Sequence, residues 1–281
     1  MNKRIIRLIA VSGAAVALSS CTAVQSAGSE NPGATTAAET AENTTVSAEQ
    51  AEDITVEAIS EPAEEPVTEP PTEPLEMPED YELSGSCRLD VEAVLQNPEL
   101  PTGCEITSLN TVLRYNGFDI DKVELCENYL TVDYYAAYTF DEAYIGDPKS
   151  ATGFGCYSPV ITETANKFFS ENDDSWKALD ISGTSLQGLF YQLEKGRPVV
   201  VWSSMNLNDV VWRYQWTTDD GDEAWFPEME HCMVLTGYDF DSGVVYTADP
   251  LKGSMEYSME RFEYIYDEMK QQAVIVYKQG E

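Results

Sequence analysis

The sequence has a single histidine, His231, among 281 residues. That scarcity excludes a histidine-rich metal site and any mechanism that needs two imidazoles. Positive charge is scarce as well: 16 Lys and Arg stand against 50 Asp and Glu, a formal net charge of −34. Phosphate backbones are bound through clustered Lys and Arg, so the composition excludes a nucleic-acid partner and disfavours docking of the chain on anionic membrane surfaces. Aromatic residues are missing before position 81, since all five Trp, sixteen Tyr and nine Phe lie beyond residue 80. Lys and Arg are missing from 22 to 80, a stretch of Ala, Thr, Ser, Glu and Pro. Such a segment has little to bury and is expected to be disordered. Its end, from Glu61-Pro62 to Met77-Pro78, repeats Glu-Pro and Thr-Glu-Pro units. In an extended polyproline state the whole stretch would span on the order of 180 Å, long enough for a stalk. A spacer that only aids solubility is the plainer reading.

The first residues read as an address. Lys3, Arg4 and Arg7 precede an apolar run from Leu8 to Leu18. The run is short for a membrane span and suits a secretory signal. It ends in Leu18-Ser19-Ser20-Cys21, which resembles a bacterial lipobox. The expected organisation is a signal peptide over 1–20, lipidation at Cys21, an acidic linker over 22–80 and one catalytic domain over 81–281. The chain would then be lipid-anchored at the extracellular face of the bacterial membrane. The alternative is an ordinary signal and a secreted protein.

Beyond residue 80 the patterning is globular. Ile106, Leu109, Val112 and Leu113 recur at helical spacing, which predicts a helix from Gly103 to Asn116, stopped by Asn116-Gly117. Further helices are expected over Lys122–Tyr129, Ser158–Asn172 and Ser185–Lys195, with a long loop over 131–157. Arg88–Val91 and Ala273–Lys278 read as strands, and Pro198–Ser203 as a buried β-branched one. His231–Tyr238 and Gly243–Ala248 form a hairpin turned at Phe240-Asp241-Ser242-Gly243. Helices first and an antiparallel sheet afterwards is an α+β order.

Cys104 follows Pro101-Thr102-Gly103, so it falls in the first turn of the first helix. A helix N-terminus carries about half a positive charge and free N–H groups. Both are expected to lower the thiol pKa, and the thiolate is the nucleophile. The same N–H groups can help bind an oxyanion. The base must be His231, the sole imidazole. Folding the hairpin brings His231 level with Asp249, which precedes Pro250 and could fix the imidazole tautomer. Singly, a Gly-Cys pair, a His opening a strand and an Asp before Pro are ordinary structural features. Their coincidence in one order carries the catalytic reading.

Four segments hold these residues: 95–109 (Leu-Gln-Asn-Pro-Glu-Leu-Pro-Thr-Gly-Cys-Glu-Ile-Thr-Ser-Leu), 153–161, 196–202 and 230–239. In order, they resemble the bacterial peptidase C-39-like domains of the papain-like cysteine peptidase superfamily, over most of residues 88–251. The resemblance implies a papain-like α+β fold, with N-terminal helices packed on an antiparallel sheet, and cleavage of peptide bonds. It implies Cys104 as nucleophile, His231 as base and Asp249 as orienter. It also implies an oxyanion-hole glutamine, for which Gln96 is the match. Gln96 stands eight residues before Cys104, a wider gap than papain-like enzymes typically leave, so the loop from Pro98 to Pro101 must absorb the excess.

No metal or organic cofactor is expected. The expected partners are a peptide or protein substrate and the membrane through Cys21, with the chain a monomer. Two alternatives stay open: another acyl-transfer enzyme (cell-wall amidase, transglutaminase or deamidase), and a catalytically inactive surface binding module. Cys87, Cys126, Cys156 and Cys232 could pair in three ways, though Cys156 and Cys232 read as buried free thiols. The segment Met205–Glu230, with Trp212, Tyr214, Trp216, Trp225 and Phe226, is expected to wall the cleft, as a substrate rim or as a packed surface loop. Tyr134, Tyr135, Tyr138 and Tyr144 carry the same two readings.

Overall fold

The structure, a computed structural model, describes residues 76–280. The expected signal peptide, the expected lipidation at Cys21 and the expected linker up to residue 75 lie outside them. Tyr81 is the first aromatic residue, and its ring packs edge-on against Tyr191 at 4.8 Å. Among the described residues no helix is long and apolar enough to cross a membrane.

The elements run as β1 (Ser86–Arg88), α1 (Cys104–Tyr115), α2 (Lys122–Tyr129), β2 (Val132–Asp133), β3 (Tyr144–Ile145), α3 (Ser158–Asn172), β4 (Trp176–Asp180) and α4 (Leu186–Glu194). They continue as β5 (Val199–Ser204), β6 (Val211–Thr217), β7 (Glu223–Glu228), β8 (Glu230–Asp239), β9 (Val244–Asp249), β10 (Gly253–Ser258), α5 (Met259–Glu268) and β11 (Ala273–Lys278). This is the α+β class, and the four expected helices form at nearly the expected bounds. Strands β4, β6, β7 and β10 and helix α5 are additions to the elements read from sequence. The 131–157 segment contains the short parallel pair β2–β3 within its loop.

The main sheet has the order β10-β9-β8-β5-β11-β4, with β1 paired to β8, and every pairing in it is antiparallel. Strand β5 lies between β8 and β11 and is buried along its whole length, which is why it reads as a continuous apolar run. Strand β1 pairs β8 at Arg88↔Gly237, past the last β5 pair at Val199↔Leu235. Gly237 permits the pairing: a Cβ there would meet Cys87 O at 2.6 Å and Arg88 Cα at 2.9 Å. The β8–β9 turn is tied by Asp239 Oδ1, which accepts from Asp241 N and Ser242 N at 2.9 and 3.1 Å. Gly243 there takes φ +66°.

Helix α1 packs on β8. Its residues from Cys104 to Val112 and Leu113 are all buried, so its polar members, Glu105 among them, are interior groups. Helices α2 and α4 start from side-chain caps, Asp121 accepting from Val123 N and Glu124 N, and Ser185 accepting from Gly188 N.

Candidate active site

Helix α1 has no side-chain cap. Its N-cap is Gly103, where a Cβ would meet Leu100 Cβ at 2.9 Å. The approach is fixed from outside the helix: Tyr144 Oη donates to Thr102 O at 2.6 Å, and Thr102 Oγ1 donates to Ser150 O at 2.9 Å. The N-cap residue therefore offers no side chain to the first-turn N–H groups beside Cys104. Cys104 itself is only 5% exposed.

Hairpin β8–β9 joins the expected base and orienter. His231 Nε2 lies 2.9 Å from Asp249 Oδ1, with both side chains buried. Asp249 Oδ1 also accepts from Leu251 N at 2.8 Å, and Tyr257 Oη donates to Oδ2 at 3.4 Å. Lys252 Nζ stands 3.8 Å from Oδ2. Burial opposes ionisation of Asp249, but the His231 hydrogen bond and charge, Leu251 N–H and Lys252 outweigh it and hold the carboxyl below its ordinary range. An ionised Asp249 accepts from Nε2–H, so a neutral His231 carries its lone pair on Nδ1. That Nδ1 is buried and has no hydrogen-bond partner. His231 borders a hollow lined by Met205, Asn206, Leu251 and Lys252.

Gln96 is buried at 2% exposure beside the same hairpin, its N–H donating to Pro250 O at 2.8 Å. The loop after it curls back: Leu100 N donates to Gln96 O at 2.9 Å and Gly103 N to Leu100 O at 3.0 Å. This curl absorbs the long spacing to Cys104. Gln96 Nε2 donates to Pro101 O at 2.9 Å, while its Oε1 is buried without a partner.

The thiol departs from expectation. Its sulfur lies 3.3 Å from Glu105 Oε2 and 3.6 Å from Glu230 Oε2, and it makes no hydrogen bond to His231. Glu230 and His231 are consecutive in β8, so alternation sends them to opposite sides of the strand. The sulfur lies with Glu230. The helix terminus does not lower the thiol pKa as expected. Burial first, then the charges of Glu105 and Glu230, push the Cys104 thiol well above its ordinary value, against the opposing Cys232 backbone hydrogen bond.

Glu105 and Glu230 were not singled out from sequence, although they flank two candidate residues in the chain. Cys87, Cys104, Cys126, Cys156 and Cys232 are all free. The aromatic-rich segment forms hairpin β6–β7, and Phe140 stacks on Phe226 at 4.4 Å while Phe154 meets Tyr214 and Trp216 edge-on. Trp225 is exposed, and so are Tyr134, Tyr135 and Tyr138, whereas Tyr144 is buried.

The sequence pattern of the Peptidase_C39 like family matches residues 88–274. The chain is 33% identical over 207 residues to the uncharacterized protein YvpB of Bacillus subtilis strain 168, covering 70% of this chain and 79% of that one. It resembles the crystal structure of a "putative C39-like peptidase" from Bacillus anthracis, with 28% identity and a TM-score of 0.62 over 70% of this chain and 99% of that one. With the fold and the buried Cys, His and Asp groups in place, the match over the greater part of the described residues identifies the chain as a member of the Peptidase_C39 like family.

Proposed function

We propose that the protein is an extracytoplasmic cysteine peptidase, anchored through lipidated Cys21, that cleaves peptide bonds with a Cys104–His231–Asp249 triad. The observation that carries the reading is the buried His231–Asp249 pair, whose hydrogen bond uses Nε2 and leaves Nδ1 without a partner. A neutral imidazole oriented by a carboxylate is what a thiol needs to lose its proton. Cys104 would attack the scissile carbonyl carbon as His231 takes the thiol proton. The proton then passes to the departing amine, leaving a thioester that water hydrolyses with His231 again as base. The Cys104 N–H at the uncapped helix start and the Gln96 side-chain amide would hold the oxyanion. For this the Gln96 amide must release Pro101 O and the thiol must leave the carboxyls for His231.

A second reading, a non-catalytic module, is favoured by the sulfur's bonding to carboxyls instead of imidazole. The full-length protein and Cys104→Ala should be profiled against a peptide library and against purified peptidoglycan. Peptide cleavage that vanishes in the variant supports the peptidase. Cleavage confined to peptidoglycan selects an amidase, and wild-type rates in Cys104→Ala sink any thiol mechanism.

A further inference from the structure

Two buried carboxyls unused by the proposed reaction flank its nucleophile. Their oxygens and Cys104 Sγ lie within 4.8 Å of one another. Glu105 is fully buried and Glu230 is 6% exposed. Glu105 Oε1 accepts from Cys156 N at 2.9 Å, and Glu230 Oε1 has no partner. The titratable groups facing the pair come from every side: Cys104 of α1, Cys126 of α2, Tyr144 of β3, Cys156 and Tyr157 before α3, and Cys232 of β8. None of these is a cation. Two ionised carboxylates this close, buried and without a counter-charge, would repel strongly.

The hydrogen count points the same way. The sulfur contacts both carboxyls, yet a thiol has one proton and donates to one acceptor. A proton on one carboxyl would let that carboxyl donate to sulfur, so that both contacts could be hydrogen bonds.

We propose that Glu105 and Glu230 are positioning residues that share one proton and hold Cys104 as a neutral thiol on their side of β8, away from His231. The proposal rests on the reading of Cys104 as nucleophile. Burial supports it, pushing Glu105 up to about 7 and, with the Glu105 charge, Glu230 well above its ordinary value. Each carboxyl therefore acts on the reaction through the sulfur: the pair disfavours a thiolate and fixes where the thiol rests.

The test is alkylation of Cys104 by iodoacetamide in the full-length protein across pH, read at the Cys104 peptide by mass spectrometry. Glu105→Gln/Glu230→Gln keeps the shape of both side chains and removes both charges. Its Cys104 alkylation at neutral pH should rise at least about tenfold, the effect of one pKa unit on thiolate content. The pH midpoint of alkylation should move down with it. An unchanged rate and midpoint would overturn the proposal. Should the double variant fail to fold, infrared spectroscopy of the wild type and Glu230→Gln decides. A protonated-carboxyl band at neutral pH, lost in Glu230→Gln, supports the shared proton, and its absence from the wild type overturns it. Peptide cleavage measured in parallel separates the two ideas: loss of the peptidase reading shows as no cleavage by wild type, whatever the alkylation result.

Discussion

At the residue scale, the site is an imidazole paired with a carboxylate, and the thiol proposed as its nucleophile rests against two other carboxyls. Replacing Asp249 by Asn keeps the shape but removes the charge that fixes the Nε2–H tautomer. Peptide cleavage by Asp249→Asn should fall by about 10² to 10⁴, the range of a lost general base, with KM little changed. A kcat within threefold of wild type would show that Asp249 does not orient His231. Gln96→Ala should lower kcat by roughly 10² to 10³ with little change in KM, as removal of one oxyanion donor does. Cys104, His231 and Asp249 were legible because a lone imidazole, a helix-start thiol and a hairpin-end carboxylate are each marked by position. Glu105 and Glu230 were not, because a Glu in a sequence with 50 acidic residues looks like one more solvated charge. Only packing shows that these two are interior.

At the element scale, the placement of His231 against Asp249 depends on the register of β8, and β8 is held on one flank by β1 through Gly237. Gly237→Ala would drive a methyl into the backbone of Cys87 and Arg88, where no flexible side chain can give way. A destabilisation of about 1–3 kcal/mol by urea unfolding is expected, typical of overpacking. A stability equal to wild type would mean that β1 adds nothing to the sheet. Hairpin β8–β9 was readable from sequence because Asp-Ser-Gly is turn chemistry between two apolar runs. Strands β6 and β7 were not, since the aromatics of the 205–230 segment stand among Asp and Glu and together have the composition of a rim, although Trp212, Tyr214 and Trp216 alternate with Arg213 and Gln215 within β6. Their ladder is explained by partners distant in sequence: Phe140, Phe154 and Tyr157 take up Tyr214, Trp216 and Phe226. Strand β10 is an edge strand with a half-exposed pattern, so its apolar signal is diluted. In α5, Phe262, Ile265 and Tyr266 are buried at helical spacing, a short signal among charged neighbours.

At the scale of the whole molecule, stability should peak on the acid side of neutrality, for two separable reasons. Glu105 and Glu230 have folded pKa values raised above their ordinary 4.5, so the folded state binds more protons than the unfolded chain above that pH. Their contribution is fully present below about 4.5 and is lost as pH rises through about 7, where Glu105 ionises. Asp249 has the opposite sign: its lowered pKa gives stability that is present above its ordinary 3.8 and is lost as pH falls further. The optimum should therefore lie between roughly pH 4.5 and 6. The net charge of −34 adds self-repulsion toward alkaline pH, but that acts among exposed groups and is screened by salt. The buried carboxyls are screened far less. Thermal unfolding at pH 5 and pH 8, in low and high salt, should show a loss of stability at pH 8 that salt only partly restores. In Glu105→Gln/Glu230→Gln the salt-resistant part should disappear, leaving the part that salt removes. If wild type and variant lose the same stability in high salt, the carboxyls titrate alike in folded and unfolded chains, and the surface charge alone sets the pH dependence.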